Sequence, residues 1–409
     1  MIIETRIKNF EAMEFGMFVH FGLYSIVGRG EWALYSCELD PVEYSKLPRR
    51  FNPDPDWAVE LVKTAKAAGC KYITLTTRHH DGFSLYDSSP ISDYDAPHAL
   101  CGRDLVREFV DACNAEGIVP FFYHTLLDWK VESYKTDFKK YLEYLRASVE
   151  ILCTRYGKIG GLWFDGMWDK KDADWEEDAL YSLIRRHQPD AMIINNTGLH
   201  AQGALGHIEL DSVTFERGKP KPINMDGSPK YIASEMCQVF GDHWGYSSLD
   251  YNFKSMADII RDYCVCRRYG SNLLMNVGPM PSGKLRTLDT AMLLTLGEWI
   301  DKFSEACVGT MPTKITASGE DFVMKGADAY YLFCHELPMG GNRNVALTAD
   351  QRESYSVELE LDAPVRSITW LESGDAVEFK QQGSALKIYA TPQPYGQSVV
   401  VRIAKIVTE

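Results

Sequence analysis

The chain has 409 residues and a formal net charge of −14, with 45% hydrophobic and 24% charged residues. This size and composition predict a globular protein with one large domain or two domains. The acidic balance argues against nucleic acid or an anionic membrane as a partner held by bulk electrostatics. No run of about 18 apolar residues predicts a membrane span.

Two features bear on the compartment. The start, MIIETRIKNFEAMEFGMF, lacks the basic region, apolar run and cleavage site of a secretory signal. The 10 cysteines are scattered without a Cys-x-x-Cys pair, which favours reduced, packed thiols over disulfides. We therefore expect a cytoplasmic protein, and we leave open whether it forms a homo-oligomer.

Apolar strands and amphipathic helices alternate up to about residue 305. Several strands are apolar throughout, which is typical of parallel strands buried on both faces. Eight strands within about 300 residues predict a (β/α)8 barrel, irregular between residues 198 and 252, where we find no helical pattern. The predicted strands are 16–22, 72–78, 118–125, 161–165, 191–197, 212–216, 231–238 and 272–278. The predicted helices are 56–69, 102–117, 134–156, 175–188, 253–270 and 285–303.

After about residue 310 the pattern changes to short strands separated by turn residues. An antiparallel β-sandwich of about 100 residues has this pattern. We therefore predict an irregular (β/α)8 barrel over residues 1–310 and a C-terminal β-sandwich over residues 311–409, with the boundary near GTMPTK (309–314).

Polar residues lie at or near the end of each predicted barrel strand. Because a parallel barrel gathers the C-terminal ends of its strands at one face, we expect these side chains to meet there. They are His20, Arg78, His79, His80, Asp81, Tyr123, His124, Asp165, Asn195, Asn196, Glu216, Glu235 and Asn276, and the loop after the first strand adds Glu31.

The adjacent histidines His79 and His80 allow two interpretations. On a strand they would point to opposite faces, one into the core and one to the surface. At a strand end both can reach one site, and we favour this interpretation because neutral imidazoles suit hydrogen bonds to hydroxyl groups. A zinc site that also uses His20 and Asp165 lacks a typical ligand spacing, so we expect no metal and no cofactor.

Aromatic residues are concentrated at or beyond the strand ends. Ordinary core and rim packing accounts for some of them. A pocket of aromatic residues, histidines and carboxylates nevertheless suits a neutral polyhydroxylated ligand, because aromatic faces pack on the C–H surface of a sugar ring. These residues are Trp32, Tyr35, Tyr123, Trp129, Trp163, Trp168 and Trp244.

Hydrolysis of a sugar linkage needs two carboxyl groups, one that attacks or activates water and one that donates a proton. Asp165 is the candidate nucleophile, because it ends a strand that continues a buried run. The candidates for the acid/base are Glu216, Glu235 and Glu31. Glu216 lies at a strand end, whereas Glu235 could lie deeper in its strand and Glu31 could hold a sugar hydroxyl.

Four segments closely resemble motifs of the retaining α-L-fucosidases, glycoside hydrolase family 29. They are FGMFVHFGLYSIVGRGEWALYS, YITLTTRHHDGFSLYDS, GGLWFDGMWD and NLLMNVGP, and the resemblance covers residues 10–300. It implies an irregular (β/α)8 barrel with a C-terminal β-sandwich. It also implies an exo-acting, retaining hydrolase whose substrate is a fucosylated oligosaccharide or a small fucoside.

The resemblance implies a role for each matching residue. Asp165 would be the nucleophile, and His20, Glu31, Trp32, His79, His80, Tyr123 and Trp163 would bind the fucose. We add Trp244, which lies beyond the seventh strand, to the substrate-binding set.

The chain departs from the family in two places. Many members have an arginine after strand five, where this chain has NNTG, so the replacement for that arginine is open. The acid/base glutamate is poorly defined by motif. Because VTFERG resembles a Thr-Pro-Glu type segment, we choose Glu216 over Glu235.

Two alternatives remain from the sequence. One is a catalytically weak or inactive fucose-binding protein on the same fold, and the retention of both carboxylates argues against it. The other is a metal-dependent hydrolase built on the histidines. The preferred linkage and aglycone are not determined by the sequence.

Overall fold

Eight parallel strands form a closed barrel in chain order, and the last strand pairs with the first. Nearly every residue of these strands is buried, which explains their unbroken apolar character. The predicted (β/α)8 barrel is thus confirmed. Its strands are β1 Phe15–Val19, β2 Tyr72–Arg78, β3 Val119–Thr125, β4 Gly161–Asp165, β5 Met192–Asn195, β6 Ser212–Glu216, β7 Ala233–Val239 and β8 Asn272–Val277.

The computed structural model describes residues 3–196, 201–340 and 355–409, so residue 197 of the predicted fifth strand lies outside the described residues. Helix boundaries follow local capping signals. For example, the helix from Leu105 to Glu116 begins after Asp104, whose side chain accepts from the backbone N–H of Arg107. It ends at Gly117, whose φ of 71° is left-handed. The helices are α1 Thr5–Glu11, α2 Tyr24–Val27, α3 Ala33–Ser36, α4 Pro41–Tyr44, α5 Trp57–Ala67, α6 Leu105–Glu116, α7 Ser133–Thr136, α8 Phe138–Arg155, α9 Glu177–His187, α10 Met256–Tyr269, α11 Thr287–Lys302 and α12 Ser304–Cys307.

The second half of the barrel is irregular, as the sequence predicts. The described residues 201–254 contain no helix, and only loops connect β6 to β7 and lead on from β7. The seam between β5 and β6 is short, with one paired position, Ile194 with Ser212. Loops therefore form this side of the barrel rim.

Aromatic rings fill the lower interior of the barrel. The Phe10 ring of α1 lies 5.6 Å from Tyr72 and 5.9 Å from Phe121, so this helix, which the sequence reading missed, packs into the core. Gly16 makes room for the Tyr72 ring, because a Cβ at this glycine would lie 2.5 Å from a ring carbon. These packed rings make this part of the interior a hydrophobic core.

The chain forms two compact units, residues 1–254 with 271–294, and residues 255–270 with 295–409. The second unit contains two antiparallel sheets, with strand orders β13-β16-β11-β10-β9 and β12-β15-β14, that share a hydrophobic core including Leu332, Leu386 and Trp370. The domain boundary between residues 310 and 311 stays a prediction. The strands are β9 Met311–Thr316, β10 Phe322–Lys325, β11 Tyr330–Cys334, β12 Ser356–Glu360, β13 Val365–Trp370, β14 Phe379–Gln382, β15 Ala385–Tyr389 and β16 Arg402–Thr408.

Two further findings concern the described part of the chain. None of its helices is long and apolar enough to cross a lipid bilayer. None of the 10 cysteines, all of which the structure describes, is recorded in a disulfide, and eight of them are buried.

A buried carboxylate anchors the N-terminal ends of the strands. Asp211 accepts hydrogen bonds from Arg6 at 3.1 Å, Arg185 at 2.5 Å and Lys230 at 2.8 Å, and from the backbone N–H of Ile193 at 2.9 Å. Burial by itself would raise the pKa of Asp211. The cations outweigh it, with Arg185 the largest contributor, and hold that pKa below its usual range.

We expect Asp211→Asn to destabilise the protein by about 3–5 kcal/mol, because it removes the charge that three largely buried cations share and leaves Arg6 and Arg185 with only Glu4 and Glu209. Asp190→Asn is the matched control. It breaks the exposed pair with Lys158, whose side chains are 78% and 72% accessible, and should cost at most about 1 kcal/mol. Urea unfolding at several pH values measures both losses.

The effect of Asp211→Asn should be full above the pKa of an unfolded aspartate and should shrink as the pH falls through the lowered folded-state pKa. Equal unfolding midpoints for the two variants at neutral pH would contradict the anchoring role.

Candidate active site

A cavity of about 420 Å³ opens at the C-terminal ends of the barrel strands. Nine of the ten residues predicted for the site line it, and His80 lies directly behind. Phe18, Trp168, Asn196 and Cys237 complete the wall; the sequence placed Trp168 and Asn196 near the strand ends but did not point to Phe18 and Cys237. The predicted residues that line the cavity are His20, Glu31, Trp32, His79, Tyr123, Trp163, Asp165, Glu216 and Trp244.

Asp165 is the last residue of β4, and three donors hold its carboxylate. Trp168 Nε1 donates to Oδ1 at 3.2 Å, Tyr123 Oη donates to Oδ2 at 3.1 Å, and Asn196 Nδ2 lies 3.4 Å from Oδ1. Gly166 then turns the chain away with a φ of 98°. A Cβ at this glycine would lie 2.7 Å from the backbone nitrogen of Leu127, so only glycine fits here.

Glu216 ends β6 and shares a donor with Asp165. Asn196 Nδ2 donates to Glu216 Oε2 at 2.6 Å, while Thr214 Oγ1 donates to Asn196 Oδ1 at 2.8 Å and fixes the amide. The two carboxylate oxygens that face Nδ2 are therefore separated by at most the sum of 2.6 Å and 3.4 Å. The structure brings the two predicted carboxyl groups together.

Glu216 is poised to hold a proton near neutral pH. Burial, together with the negative charge of Asp165, raises the pKa of Glu216 to about 7, although Asn196 and Arg217 oppose the rise. Arg217 follows it with a left-handed φ of 52°, and its guanidinium donates to the carbonyl of Asp242 at 3.2 Å. This arginine places a positive charge near Glu216 from the end of strand six.

The geometry fixes the tautomer of His20. Asn276 Nδ2 donates to the carbonyl of Trp244 at 2.7 Å, so Asn276 Oδ1 must accept from His20 Nδ1 at 2.7 Å. Burial lowers the pKa of His20 to about 3, so the ring is neutral. Its Nε2 is consequently an acceptor.

His80 is oriented in the same manner. The hydroxyl of Thr125 donates to the carbonyl of Leu127, so its oxygen accepts from His80 Nδ1 at 2.7 Å. Nε2 then lies 3.6 Å from Asp165 Oδ2. Burial lowers the pKa of His80, and the charge of Asp165 opposes that shift.

His79 lies on the cavity wall. Its ring stacks on Tyr123 with the centroids 5.5 Å apart, and its Nδ1 is buried with no hydrogen-bond partner among the described residues. Burial holds the pKa of His79 well below its usual value. The adjacent histidines therefore serve one site, as the strand-end interpretation predicts.

Glu31 connects two loops of the rim. Its Oε2 accepts the backbone N–H groups of Trp244 at 3.1 Å and of Gly245 at 2.8 Å. Burial raises its pKa despite these hydrogen bonds. The next residue, Trp32, stacks on Trp168 with the ring centroids 5.8 Å apart. It also meets Trp129 edge-on with the ring centroids 5.1 Å apart, so the three indoles form an aromatic rim.

Glu235 occupies a different place from Glu216. It is 1% exposed, does not line the cavity and accepts from Tyr72 Oη at 2.5 Å and from Trp163 Nε1 at 2.9 Å. Burial raises the pKa of Glu235 to about 7, the same value as for Glu216. Position, and not acidity, separates the two glutamates.

The described residues contain no cluster of three or more His, Cys, Asp and Glu side chains arranged to hold a metal ion. Most polar side chains around the cavity instead hydrogen-bond to one another or to the backbone. Two carboxyl groups, two oriented imidazoles and aromatic walls can recognise hydroxyl groups and carry out acid/base and nucleophilic chemistry.

Comparisons with known proteins bear on the family and the fold. A family model described as Alpha-L-fucosidase matches residues 4–305. The tissue alpha-L-fucosidase of Bos taurus is 26% identical over 368 residues, which are 80% of this chain and 74% of the bovine protein. Alpha-L-fucosidase isoenzyme 1 from Paenibacillus thiaminolyticus is 28% identical, with a TM-score of 0.81 over 99% of both chains. A GH29 alpha-L-fucosidase from Bacteroides thetaiotaomicron shares the fold, with a TM-score of 0.82 at 22% identity over 100% of this chain and 96% of its own.

We expect Asp165→Asn to lower the pKa of Glu216, because the negative charge of Asp165 helps to raise it. NMR titration of protein labelled with ¹³C at the glutamate carboxyl groups measures this, with the signal assigned from Glu216→Gln. Trp168→Phe is the control, since it removes a donor to Asp165 without changing the charge. An unchanged Glu216 pKa in Asp165→Asn would contradict the coupling of the two groups.

Proposed function

The chain belongs to the alpha-L-fucosidase family, glycoside hydrolase family 29, and on this premise we propose that it releases terminal α-L-fucosyl residues with retention of configuration. It is a glycoside hydrolase. Its substrate would be a fucosylated oligosaccharide or a small fucoside. The cytoplasmic location and the oligomeric state stay predictions.

The observation that carries the proposal is the single amide facing two carboxyl groups. Asn196 Nδ2 lies 3.4 Å from Asp165 Oδ1 and 2.6 Å from Glu216 Oε2. The distance between Asp165 Oδ1 and Glu216 Oε2 therefore cannot exceed the sum of these two distances. The carboxyl separation of ~5–5.5 Å that is typical of retaining glycosidases falls within this limit. Inverting enzymes need ~6.5–9.5 Å to admit a water molecule between the groups.

In the first step, a carboxylate oxygen of Asp165 attacks the anomeric carbon. Glu216 transfers its proton to the glycosidic oxygen as the bond to the leaving group breaks, so the aglycone departs as a neutral alcohol. The hydrogen bonds from Tyr123 and Trp168 hold the attacking carboxylate in place before the substrate arrives. The product of this step is a fucosyl ester of Asp165.

In the second step, Glu216 must act as a base. Formation of the ester removes the negative charge of Asp165, and this charge contributes to the raised pKa of Glu216. The pKa of Glu216 therefore falls when a base is required. The carboxylate takes a proton from water, the water oxygen attacks the anomeric carbon, and the ester bond breaks to restore Asp165.

The remaining cavity residues suit a neutral deoxy sugar. His20 Nε2 is an oriented acceptor for a sugar hydroxyl group, and the carboxyl group of Glu31 can accept another. His80 Nε2 faces Asp165 Oδ2 at 3.6 Å, so it would accept from a hydroxyl group bound beside that carboxylate. Apolar residues form a separate part of the wall, which suits a methyl group in place of a hydroxymethyl group. These are Phe18, Trp163, Cys237 and Trp244.

We expect Asp165→Ala to lower the hydrolysis of 4-nitrophenyl α-L-fucoside by about 10³-fold or more, because no nucleophile remains. Its unfolding midpoint should stay near that of the wild type. Added azide would attack from the vacated face and give the β-fucosyl azide. The wild type should first release α-L-fucose, as ¹H NMR can show. Wild-type activity in the variant would exclude Asp165 as the nucleophile.

We expect kcat/KM of the wild type to fall as the pH rises through about 7, because Glu216 must carry a proton to act as the acid. Glu216→Gln should lose this alkaline limb. Glu216→Ala should retain more activity on fucosides with good leaving groups, and added azide should rescue it with formation of the α-fucosyl azide. The assignment is wrong if Glu235→Ala shows this behaviour and Glu216→Ala does not.

A further inference from the structure

One buried carboxyl group of the barrel takes no part in the proposed reaction. Glu235 lies on β7, within the interior, and reaches across the barrel to β2 and β4. Each of its oxygens accepts one side-chain donor, Tyr72 Oη at 2.5 Å and Trp163 Nε1 at 2.9 Å. A carboxyl group in the core is costly unless it is hydrogen-bonded, so these two donors account for its presence there.

Trp163 links this buried group to the cavity. The indole ring lines the cavity, stacks on Tyr123 with the centroids 5.7 Å apart and the planes at 19°, and meets Phe18 edge-on at 5.2 Å. Tyr123 in turn donates to Asp165. The hydrogen bond from Trp163 Nε1 to Glu235 is the directional contact of an otherwise apolar ring. It therefore sets the orientation of the indole face toward the cavity.

We propose that Glu235 is a positioning residue, which fixes the Trp163 indole as the wall of the sugar pocket and, through the ring of Tyr123, supports the alignment of Asp165. Glu235 transfers no proton to or from the substrate. This inference rests on the proposed fucosidase function, since it assigns the role of a residue beneath that same site.

Two arrangements of the structure favour positioning over acid/base duty. Glu235 is 1% exposed and does not line the cavity, whereas Glu216 does. Both oxygens of Glu235 are also engaged by donors, so a water molecule or a glycosidic oxygen would have to displace Tyr72 or Trp163 to reach it. The Trp163 indole, which lines the cavity and donates to Glu235, thus lies between this carboxyl group and the cavity.

Glu235→Gln and Glu235→Leu separate the two roles. In the glutamine variant the carbonyl can still accept from Trp163 and the amide can donate to Tyr72 Oη, but no proton can be exchanged. We expect kcat/KM for 4-nitrophenyl α-L-fucoside within about threefold of the wild type, with the alkaline limb near pH 7 retained. The leucine variant leaves the indole N–H without a partner, and its kcat/KM should fall about tenfold or more.

The loss in Glu235→Leu should be equal for good and poor leaving groups, and azide should not restore it. Tyr72→Phe is the matched control, because it removes the other donor to Glu235 without altering the cavity wall. It should lower the unfolding midpoint but keep kcat/KM close to that of the wild type. A loss in Tyr72→Phe as large as in Glu235→Leu would overturn the proposal, since the effect would then be one of general stability.

A further variant covers the case in which Glu235→Leu does not fold. Trp163→Phe keeps a ring but lacks the N–H group, so it should lower kcat/KM as Glu235→Leu would, and adding Glu235→Ala, which removes the acceptor, should cause no further loss. An additive loss in the double variant would overturn the inference. So would azide rescue, or loss of the alkaline limb, in Glu235→Gln.

Failure of the proposed function gives a different result. In that case the wild type would release no fucose from any fucoside. The near-UV circular dichroism of Trp163, taken from the difference between wild type and Trp163→Phe, still reports the positioning. It should change in Glu235→Leu and persist in Glu235→Gln, and a spectrum unchanged in both would overturn the inference.

Discussion

Closure of eight parallel strands into one barrel forces their C-terminal ends onto a single rim. Residues as distant in the chain as His20 and Glu216 therefore become neighbours. The same closure buries them, and burial sets their charge. It lowers the pKa of His20 to about 3 and raises that of Glu216 to about 7. One constraint of the backbone thus supplies both the proximity and the protonation states that the proposed mechanism requires.

Glu216 and Glu235 show that acidity alone does not identify a proton donor. Burial raises the pKa of both carboxyl groups to about 7. Glu216 lies at the cavity wall and shares the donor Asn196 with Asp165. Glu235 does not line the cavity, and its two oxygens accept from Tyr72 and Trp163. A raised carboxyl pKa therefore shows that the group is buried, and a buried carboxyl group can have either a structural or a catalytic role.

The sequence predicted the features that depend on position along a strand. Hydrophobic runs located the barrel strands, and the residues at their ends located the cavity. Asn196 shows where this reasoning stops. It was noted at the end of β5 beside Asn195, but only the structure shows that Asn195 turns away to Tyr181 while Asn196 faces the carboxylates. The direction of a side chain at the last residue of a strand depends on where that strand ends, and pattern alone leaves that uncertain by several residues.

Other residues escaped the sequence reading for related reasons. Phe18 and Cys237 look like ordinary core positions, and their place at the upper limit of the packed interior follows from the tilt and register of the strands. His80 does not line the cavity, because Thr125 holds its ring with Nε2 facing Asp165, and its predicted role in binding the substrate stays a prediction. What replaces the missing arginine stays open, because Arg217, which follows β6 with a left-handed φ, acts on the pKa of Glu216 but does not line the cavity.

The neutrality of the buried imidazoles has a consequence for selectivity. Among the described residues that line the cavity there is no lysine or arginine, while three carboxyl groups, those of Glu31, Asp165 and Glu216, face or border it. A sulfate, phosphate or carboxylate on the sugar ring would enter without a counter-ion and against negative charge in a site of low dielectric. We therefore expect the pocket to disfavour anionic sugars by electrostatic repulsion.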